Sequence, residues 1–237
     1  IPDVYEGASH ETAAFISSVP KLGAIAVLMR LLVLAPPESA SIKLLLAILA
    51  LCCLFYGNFA ALAQKDLKRM LGYSSIAQAG YLLLGVLTLD AGGFAMASFY
   101  MGGFIVMYLA AFFVLVKVAE KGENLLVEDL SGLHKRSPVI ALLLGVSMLS
   151  LAGIPPLVGF IGKFFLFYGA WGKGWHVLVV LAALNTALSI YYYLSVVRVA
   201  YMGDPGERKP LRLSAATNAL AILLITRLCL FGAVPSP

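Results

Sequence analysis

The sequence predicts an all-α integral membrane protein, one bundle of about seven transmembrane helices in which one helix is discontinuous. Three observations lead there. Of 237 residues, 61% are hydrophobic and only 12% charged, where a soluble domain carries about 25% charged residues. The apolar residues fall in several runs of about 20, the length that spans a hydrocarbon core of about 30 Å. The longest run, residues 138–171, exceeds one span and carries Pro155 and Pro156 near its middle. The chain is therefore read as a single membrane domain over residues 1–237.

The elements follow in order. The opening Ile1-Pro-Asp-Val-Tyr-Glu-Gly7 has no basic region leading into an apolar core, so it is not a signal peptide. A chain that starts at Ile rather than Met is expected to be the C-terminal part of something longer. The first helix covers about 11–34, opened by His10 and Glu11 and expected to bend at Pro20. His10 and Glu11 read as an exposed cap in preference to a point of proton uptake. The second helix covers 41–63 and the third 70–89, with Ser74, Ser75, Gln78 and Tyr81 along it. The fourth covers 93–117, where Gly92, Gly93, Gly102 and Gly103 are helix-edge and packing glycines. The fifth is the interrupted 138–171, the sixth 176–199 and the seventh 213–232. Cys52, Cys53 and Cys229 lie in apolar runs and read as buried small hydrophobes, without disulfide or metal spacing.

The connections alternate in charge. Lys65, Lys68, Arg69, Lys117, Lys121, Lys135, Arg136, Arg198, Arg208, Lys209 and Arg212 fall on one side, and only Arg30, Lys43, Lys173 and Arg227 on the other. The positive-inside bias makes the first side cytoplasmic and leaves the C-terminus outside. These basic residues flank apolar segments, so the net charge of +5 does not point to nucleic acid. The 118–137 connection mixes Glu120, Glu123, Glu128 and Asp129 with basic residues. It reads as a solvated or partner-facing loop with room for a short surface helix.

Residues 138–171 would extend roughly 50 Å as one straight helix. Pro155 and Pro156 remove two amide donors just after Gly153 and clash with the preceding turn. Unpaired carbonyls at membrane depth are tolerated only against protein or water, so two half-helices are expected to meet around a polar pathway. Lys163 follows the break by about two turns, with Gly159 and Gly162 leaving room for close neighbours or water. Lys21, directly after Pro20, is the other lysine deep in an apolar run with no acid within a turn. A charge at that depth costs roughly 3 kcal/mol on insertion scales and marks an ion or proton path. Desolvation lowers a lysine's pKa and an acidic partner raises it, so a lysine between the two can exchange a proton near neutral pH. The Pro20 bend is expected to expose a backbone acceptor close to the Lys21 ammonium.

Weaker signals accompany the lysines. Ser74, Ser75 and Gln78 serve either to hold a water chain between them or as interhelical hydrogen bonds, each worth about 0.6 kcal/mol. Asn185, Thr186 and Ser189 carry the same two readings. Tyr191, Tyr192 and Tyr193 read as an interfacial belt or packing rather than chemistry. No Walker A loop, Gly-x-Gly-x-x-Gly after a strand, Cys-x-x-Cys or metal-spaced His pair is present, so the chain shows no redox chemistry of its own.

Several stretches resemble one known family. Pro2-Asp-Val-Tyr-Glu-Gly-Ala8 with Pro20-Lys21, Asp66 through Tyr81, Leu130-Ser-Gly-Leu133, and Ala152-Gly-Ile-Pro-Pro-Leu-Val-Gly-Phe-Ile-Gly-Lys163 carry the likeness. They resemble the antiporter-like subunits of proton-pumping NADH:quinone oxidoreductase, respiratory complex I, and subunit N (the mitochondrial subunit 2 equivalent) in particular. The resemblance implies two inverted repeats of five helices, each with a broken helix. This chain would hold the second, about 41–199, plus one helix before and one after, and would not pump alone. It implies that Lys21 is the central connecting lysine and Lys163 the lysine of the second broken helix, on the outer half-channel. It also implies a translocase subunit in the bacterial inner membrane among other membrane-arm subunits. NADH, FMN, Fe–S clusters and quinone would be used in other subunits, with no cofactor bound here. Ser9-His-Glu-Thr12 departs from the family's Pro-Thr-Pro pattern and places an ionisable pair where a stiff turn is usual. Two other readings remain open: a subunit of a multisubunit Na+/H+ antiporter, and a membrane scaffold whose lysines never titrate. Ser74-Ser-Ile-Ala-Gln78 and the Leu130–Leu133 loop lean toward complex I.

Overall fold

The computed structural model describes residues 1–36, 38–119, 122–211 and 213–233. Ten α-helices and one 3-10 turn follow in order among these residues: α1 Pro2–Gly7, α2 His10–Val33, α3 Ala40–Leu62, α4 Leu67–Val86, α5 Ala91–Val118, the turn Val127–Leu130, α6 Leu133–Arg136, α7 Pro138–Ala152, α8 Val158–Gly172, α9 His176–Met202 and α10 Ala215–Ala233. Polar caps set several starts. Ser9, Asp66 and Asp90 accept from the amides of Thr12, Arg69 and Gly93 and satisfy donors that a helix start leaves free.

Length and apolarity qualify α2, α3, α5, α9 and α10 as membrane spans. The protein is an integral membrane protein. The interrupted segment is two 15-residue helices, α7 and α8. Although 20 residues long, α4 is more polar, because fifteen of its residues are buried in protein rather than facing lipid. It packs against α1, α2, α3, α5, α8 and α9. Gly57 and Gly80 let α3 and α4 approach closely: a Cβ on Gly57 would lie 2.5 Å from the Ala77 nitrogen, and one on Gly80 2.9 Å from the Ala50 oxygen. The outer faces of α3, α9 and α10 expose Leu44, Leu45, Ile48, Val177, Val180, Leu184, Ile222 and Leu223, an apolar outer surface. Cys52 and Cys229 share that outward surface instead of being buried, since a thiol is as acceptable to lipid as to a core.

Basic residues gather at one end. There Leu67 N–H donates to the Leu125 carbonyl, Val127 N–H to that of Lys65, and Leu211 N–H to that of Arg136. Ser131 Oγ donates to the Asp204 carbonyl, and Arg208 pairs with Asp129 at 3.3 Å. The 118–137 connection is thus pinned at both flanks, and Leu125, Leu130 and Leu133 are buried, not solvated. Two of its topology residues are structural: Lys68 is buried and donates to the Glu6 and Ala8 carbonyls, and Arg136 is buried and donates to the Lys209 carbonyl. Glu120, Lys121 and Arg212 lie outside the described residues.

At the opposite end Asp90 pairs with Lys173 at 2.7 Å, tying the α4–α5 turn to the end of α8. Partial burial pushes the Asp90 carboxyl up, but the Lys173 ammonium, the Gly93 amide and the Thr88 hydroxyl outweigh it and hold it below its ordinary value. A depressed carboxylate stabilises above its unfolded pKa and loses that contribution as pH falls through the folded value. Asp90→Asn keeps a capping side chain, so it is expected to cost about 0.2–1 kcal/mol at neutral pH. The difference from wild type should begin to shrink below about pH 4 and vanish only once the pH is under the depressed folded value. Thermal midpoints of the purified protein across that range check it, and a pH-independent difference would refute it.

Candidate functional site

The site is built around the break between α7 and α8. Gly153 ends α7 in the left-handed region, at φ 85°. Its N–H reaches the Ser150 carbonyl and the Ile154 N–H that of Leu149, the Schellman pattern. That pattern satisfies Leu149 and Ser150 but leaves the last two carbonyls, Leu151 and Ala152, to other donors. Lys163, from the second turn of α8, supplies them: Nζ lies 2.9 Å from the Leu151 oxygen and 3.4 Å from that of Ala152. The ammonium sits at the negative end of a helix dipole. It also lies 4.5 Å from the Tyr81 ring centroid, with the residue 3% exposed. Gly153 is required for its backbone angle, and a Cβ there would lie 3.2 Å from Lys163 Cδ, a tight contact with the flexible stem of that side chain. Pro155 and Pro156 form the crossing between the halves, and Ser150 Oγ accepts from a free amide in the first turn of α8, Gly159 N–H.

Lys21 stands in a different environment. Its Nζ lies 5.8, 5.2 and 5.6 Å from the ring centroids of Tyr5, Phe104 and Tyr108. It is buried and has no hydrogen-bond partner among the described residues. The expected backbone acceptor near Pro20 is therefore not in contact with it. The helix α2 runs on through Pro20 from His10 to Val33, and three aromatic faces take the acceptor's place.

A continuous hydrogen-bonded chain joins the two lysines' surroundings. The Tyr108 hydroxyl, beside Lys21, donates to the Leu71 carbonyl and so accepts from Ser74 Oγ at 2.9 Å. Ser74 is bonded in turn to the Tyr193 hydroxyl, which accepts from Gln78 Nε2 at 3.3 Å. Gln78 Nε2 also reaches the Leu151 carbonyl at 3.3 Å, the same oxygen that Lys163 holds. Its Oε1 accepts from the Tyr100 hydroxyl. Ser74 and Gln78 are one turn apart and share a face of α4. Ser75 is a third of a turn away and donates instead to the Gly72 carbonyl, so it is not in the chain.

Sequence reasoning missed Tyr108, Tyr193 and Tyr100. Tyr191 is 73% exposed as a belt residue should be, but Tyr192 and Tyr193 are buried in polar networks. The alternation of polar partners on α4 was the available signal: Tyr193 is the residue that meets Ser74 and Gln78 together. Asn58, Asn185 and Tyr192 form a second network, and Thr186 donates to the Tyr81 hydroxyl, so these are interhelical bonds. Ser189 bonds within α9, to the Thr186 carbonyl. The exposed-cap reading of His10 fails, because Ser9 caps α2 while His10 is 3% exposed. No cluster of metal-ligating side chains occurs among the described residues. Tyr193→Phe leaves Ser74 and Gln78 short of a buried partner and is expected to cost about 1–3 kcal/mol. A lowered thermal midpoint of the purified protein checks it, and an unchanged one would mean the pair is satisfied otherwise.

Fold and site together define a helical membrane protein with a discontinuous helix and two lysines, Lys21 and Lys163, whose ammonium groups are buried. The chain belongs to the NADH:quinone oxidoreductase/Mrp antiporter transmembrane family, whose model matches residues 1–189. It is 46% identical over 236 residues to NADH-quinone oxidoreductase subunit N 2 of Opitutus terrae, covering 99% of this chain and 49% of that one. A chain of respiratory complex I from Thermus thermophilus superimposes with TM-score 0.86 at 35% identity, over 99% of this chain and 52% of that chain. A chain of the Mrp complex from a Dietzia species gives TM-score 0.88 at 20% identity, over 97% and 51%, a likeness of fold. The chain spans about half the length of the curated relatives it matches.

Proposed function

We propose that the chain is part of an antiporter-like subunit N of a proton-translocating NADH:quinone oxidoreductase, a translocase subunit packed among other membrane-arm subunits. Electron transfer from NADH through FMN and Fe–S clusters to quinone belongs to other subunits. The observation that carries this reading is the Lys163 ammonium, buried on the free carbonyls of a broken helix with no acidic partner among its contacts. A cation held by dipoles rather than by a carboxylate is free to lose its proton without stranding a counter-charge. Lys21 and Lys163 are the proton-exchanging groups, and Ser74 and Gln78, with Tyr108 and Tyr193, line the path between them. Hydroxyls pass protons by successive O–H hops, but the Gln78 amide does not, so water beside Gln78 completes the step to Lys163. The residues at 41–199 form one of two repeats of the full subunit. The basic end faces the cytoplasm of a bacterial cell and the C-terminus the outside, by the positive-inside bias. The stronger identity to complex I chains favours this reading over an Mrp-type antiporter. Lys163→Ala tests it, with proton translocation, quinone reduction and assembly followed in sealed vesicles. Intact assembly with unchanged pumping would replace it with the scaffold reading.

A further inference from the structure

We propose that His10 takes up the proton that reaches Lys21, through a hydrated stripe on one face of α2 that includes Ser17 and the Tyr5 hydroxyl. This rests on the proton-translocating reading above and adds its inner mouth. Among the described residues the buried side-chain polar atoms without a hydrogen-bond partner are Tyr5 OH, His10 Nδ1, Lys21 Nζ and Asn218 Oδ1. Three of these four belong to α1 and α2. Buried polar atoms lacking protein partners are in general served by ordered water.

Two of these, His10 and Lys21, are aligned on α2, with Ser17 between them. At about 100° per residue, Ser17 and Lys21 both fall within about 20° of the line through His10. The axial distance from His10 to Lys21 is about 16 Å, and a helical side chain leans toward the N-terminus, so Lys21 reaches back toward His10. Between them lie the small Ala13 and Ala14, and Ser17, which is fully buried and donates to the Ala14 carbonyl at 2.8 Å. Its oxygen lone pairs remain free to accept. The Ser17 and Ser75 hydroxyls flank Tyr5 OH, and the Tyr5 ring forms one wall of the Lys21 cage.

His10 has the right chemistry at the right end. Its Nε2 faces the Glu123 carbonyl at 3.0 Å. A carbonyl only accepts, so Nε2 keeps its hydrogen in both charge states and the exchangeable proton resides on Nδ1, the orphaned atom. Imidazole can take up a proton on one ring nitrogen while the other keeps its hydrogen bond. Glu11 lies beside it, Lys117 of α5 beyond Glu11, and Lys68 of α4 holds the Ala8 carbonyl two residues away. In the transfer the Nδ1–H bond breaks, the proton moves along the waters past Ser17, and an N–H bond forms on neutral Lys21. His10 returns to its neutral form and is reloaded from the basic end.

The test measures NADH-driven proton translocation in sealed vesicles bearing the whole complex, with His10→Gln, His10→Ala, Ser17→Val and Lys163→Ala. His10→Gln and Ser17→Val are expected to lower translocation by about tenfold or more, and added imidazole should restore much of the rate to His10→Ala. Ser17→Val blocks the stripe without touching the His10–Glu123 bond, so a merely structural His10 would leave it unaffected. Normal translocation in either His10→Gln or Ser17→Val, or a His10→Ala loss that imidazole does not repair, overturns the proposal. If Lys163→Ala alone is impaired, the proton-translocating reading survives without this mouth. If Lys163→Ala also pumps normally, that reading itself has failed.

Discussion

Lys163→Ala is expected to leave the complex assembled and to lower proton translocation by about tenfold or more, the scale of losing a proton-transfer group. Assembly should survive because the Leu151 carbonyl keeps Gln78 Nε2 as a donor. The Ala152 carbonyl opens onto the space the side chain vacates, where water can serve it. The folding cost is that of a charge-assisted bond, about 1–3 kcal/mol. Lys163→Arg separates the two roles of the ammonium. Guanidinium caps the same carbonyls but stays protonated at any physiological pH. It should assemble at least as well as Lys163→Ala and translocate as poorly. Normal translocation by Lys163→Arg would show that a fixed positive charge suffices, and the proton-exchange role would have to be abandoned.

Gly159→Ala is expected to be the most damaging single change to the fold, at about 3 kcal/mol or more. A Cβ at this position would lie 1.8 Å from the Ser150 oxygen and 3.1 Å from Met107 Sδ. The first is backbone and cannot rotate aside, so α7 and α8 would have to part. Their separation would move Lys163 away from the carbonyls it caps. The expected result is little or no assembled complex, read as abundance in membranes and as thermal midpoint of whatever remains. Gly172→Ala, where a Cβ would meet nothing within 4 Å, should be silent. Equal abundance of the two variants would show that the half-helices are not held as closely as described.

Much of the fold was legible because bilayer thickness fixes the length of an apolar run and two adjacent prolines cannot continue a helix. Those constraints located the apolar helices to within about three residues at each end, together with the break at 153–157 and the two deep lysines. The partners of those lysines were not legible. In a soluble helix, polar residues mark the outward face, but lipid is as apolar as a protein core, so both faces of α5 or α9 read alike. Tyr193 and Tyr191 are chemically identical in the sequence, yet one hydroxyl joins Ser74 to Gln78 and the other side chain lies on the outer surface. Lys68 and Arg136 looked like topology charges and His10 like an exposed cap, since near a helix end a polar side chain can turn to water or to a neighbouring carbonyl. Which it does depends on the segment packed over it, here residues 6–8 for Lys68, Glu123 for His10 and Lys209 for Arg136. The sequence by itself determined a membrane-spanning helical bundle, its broken helix and its two buried cations, because hydropathy and proline chemistry act locally. Only the tertiary structure decided that Lys163 caps free carbonyls, that Lys21 sits among aromatic rings and that a hydrogen-bonded chain of Tyr108, Ser74, Tyr193 and Gln78 runs between their surroundings. Those contacts join α1, α2, α4, α5, α7, α8 and α9, and contacts between helices leave no periodic trace along any one of them.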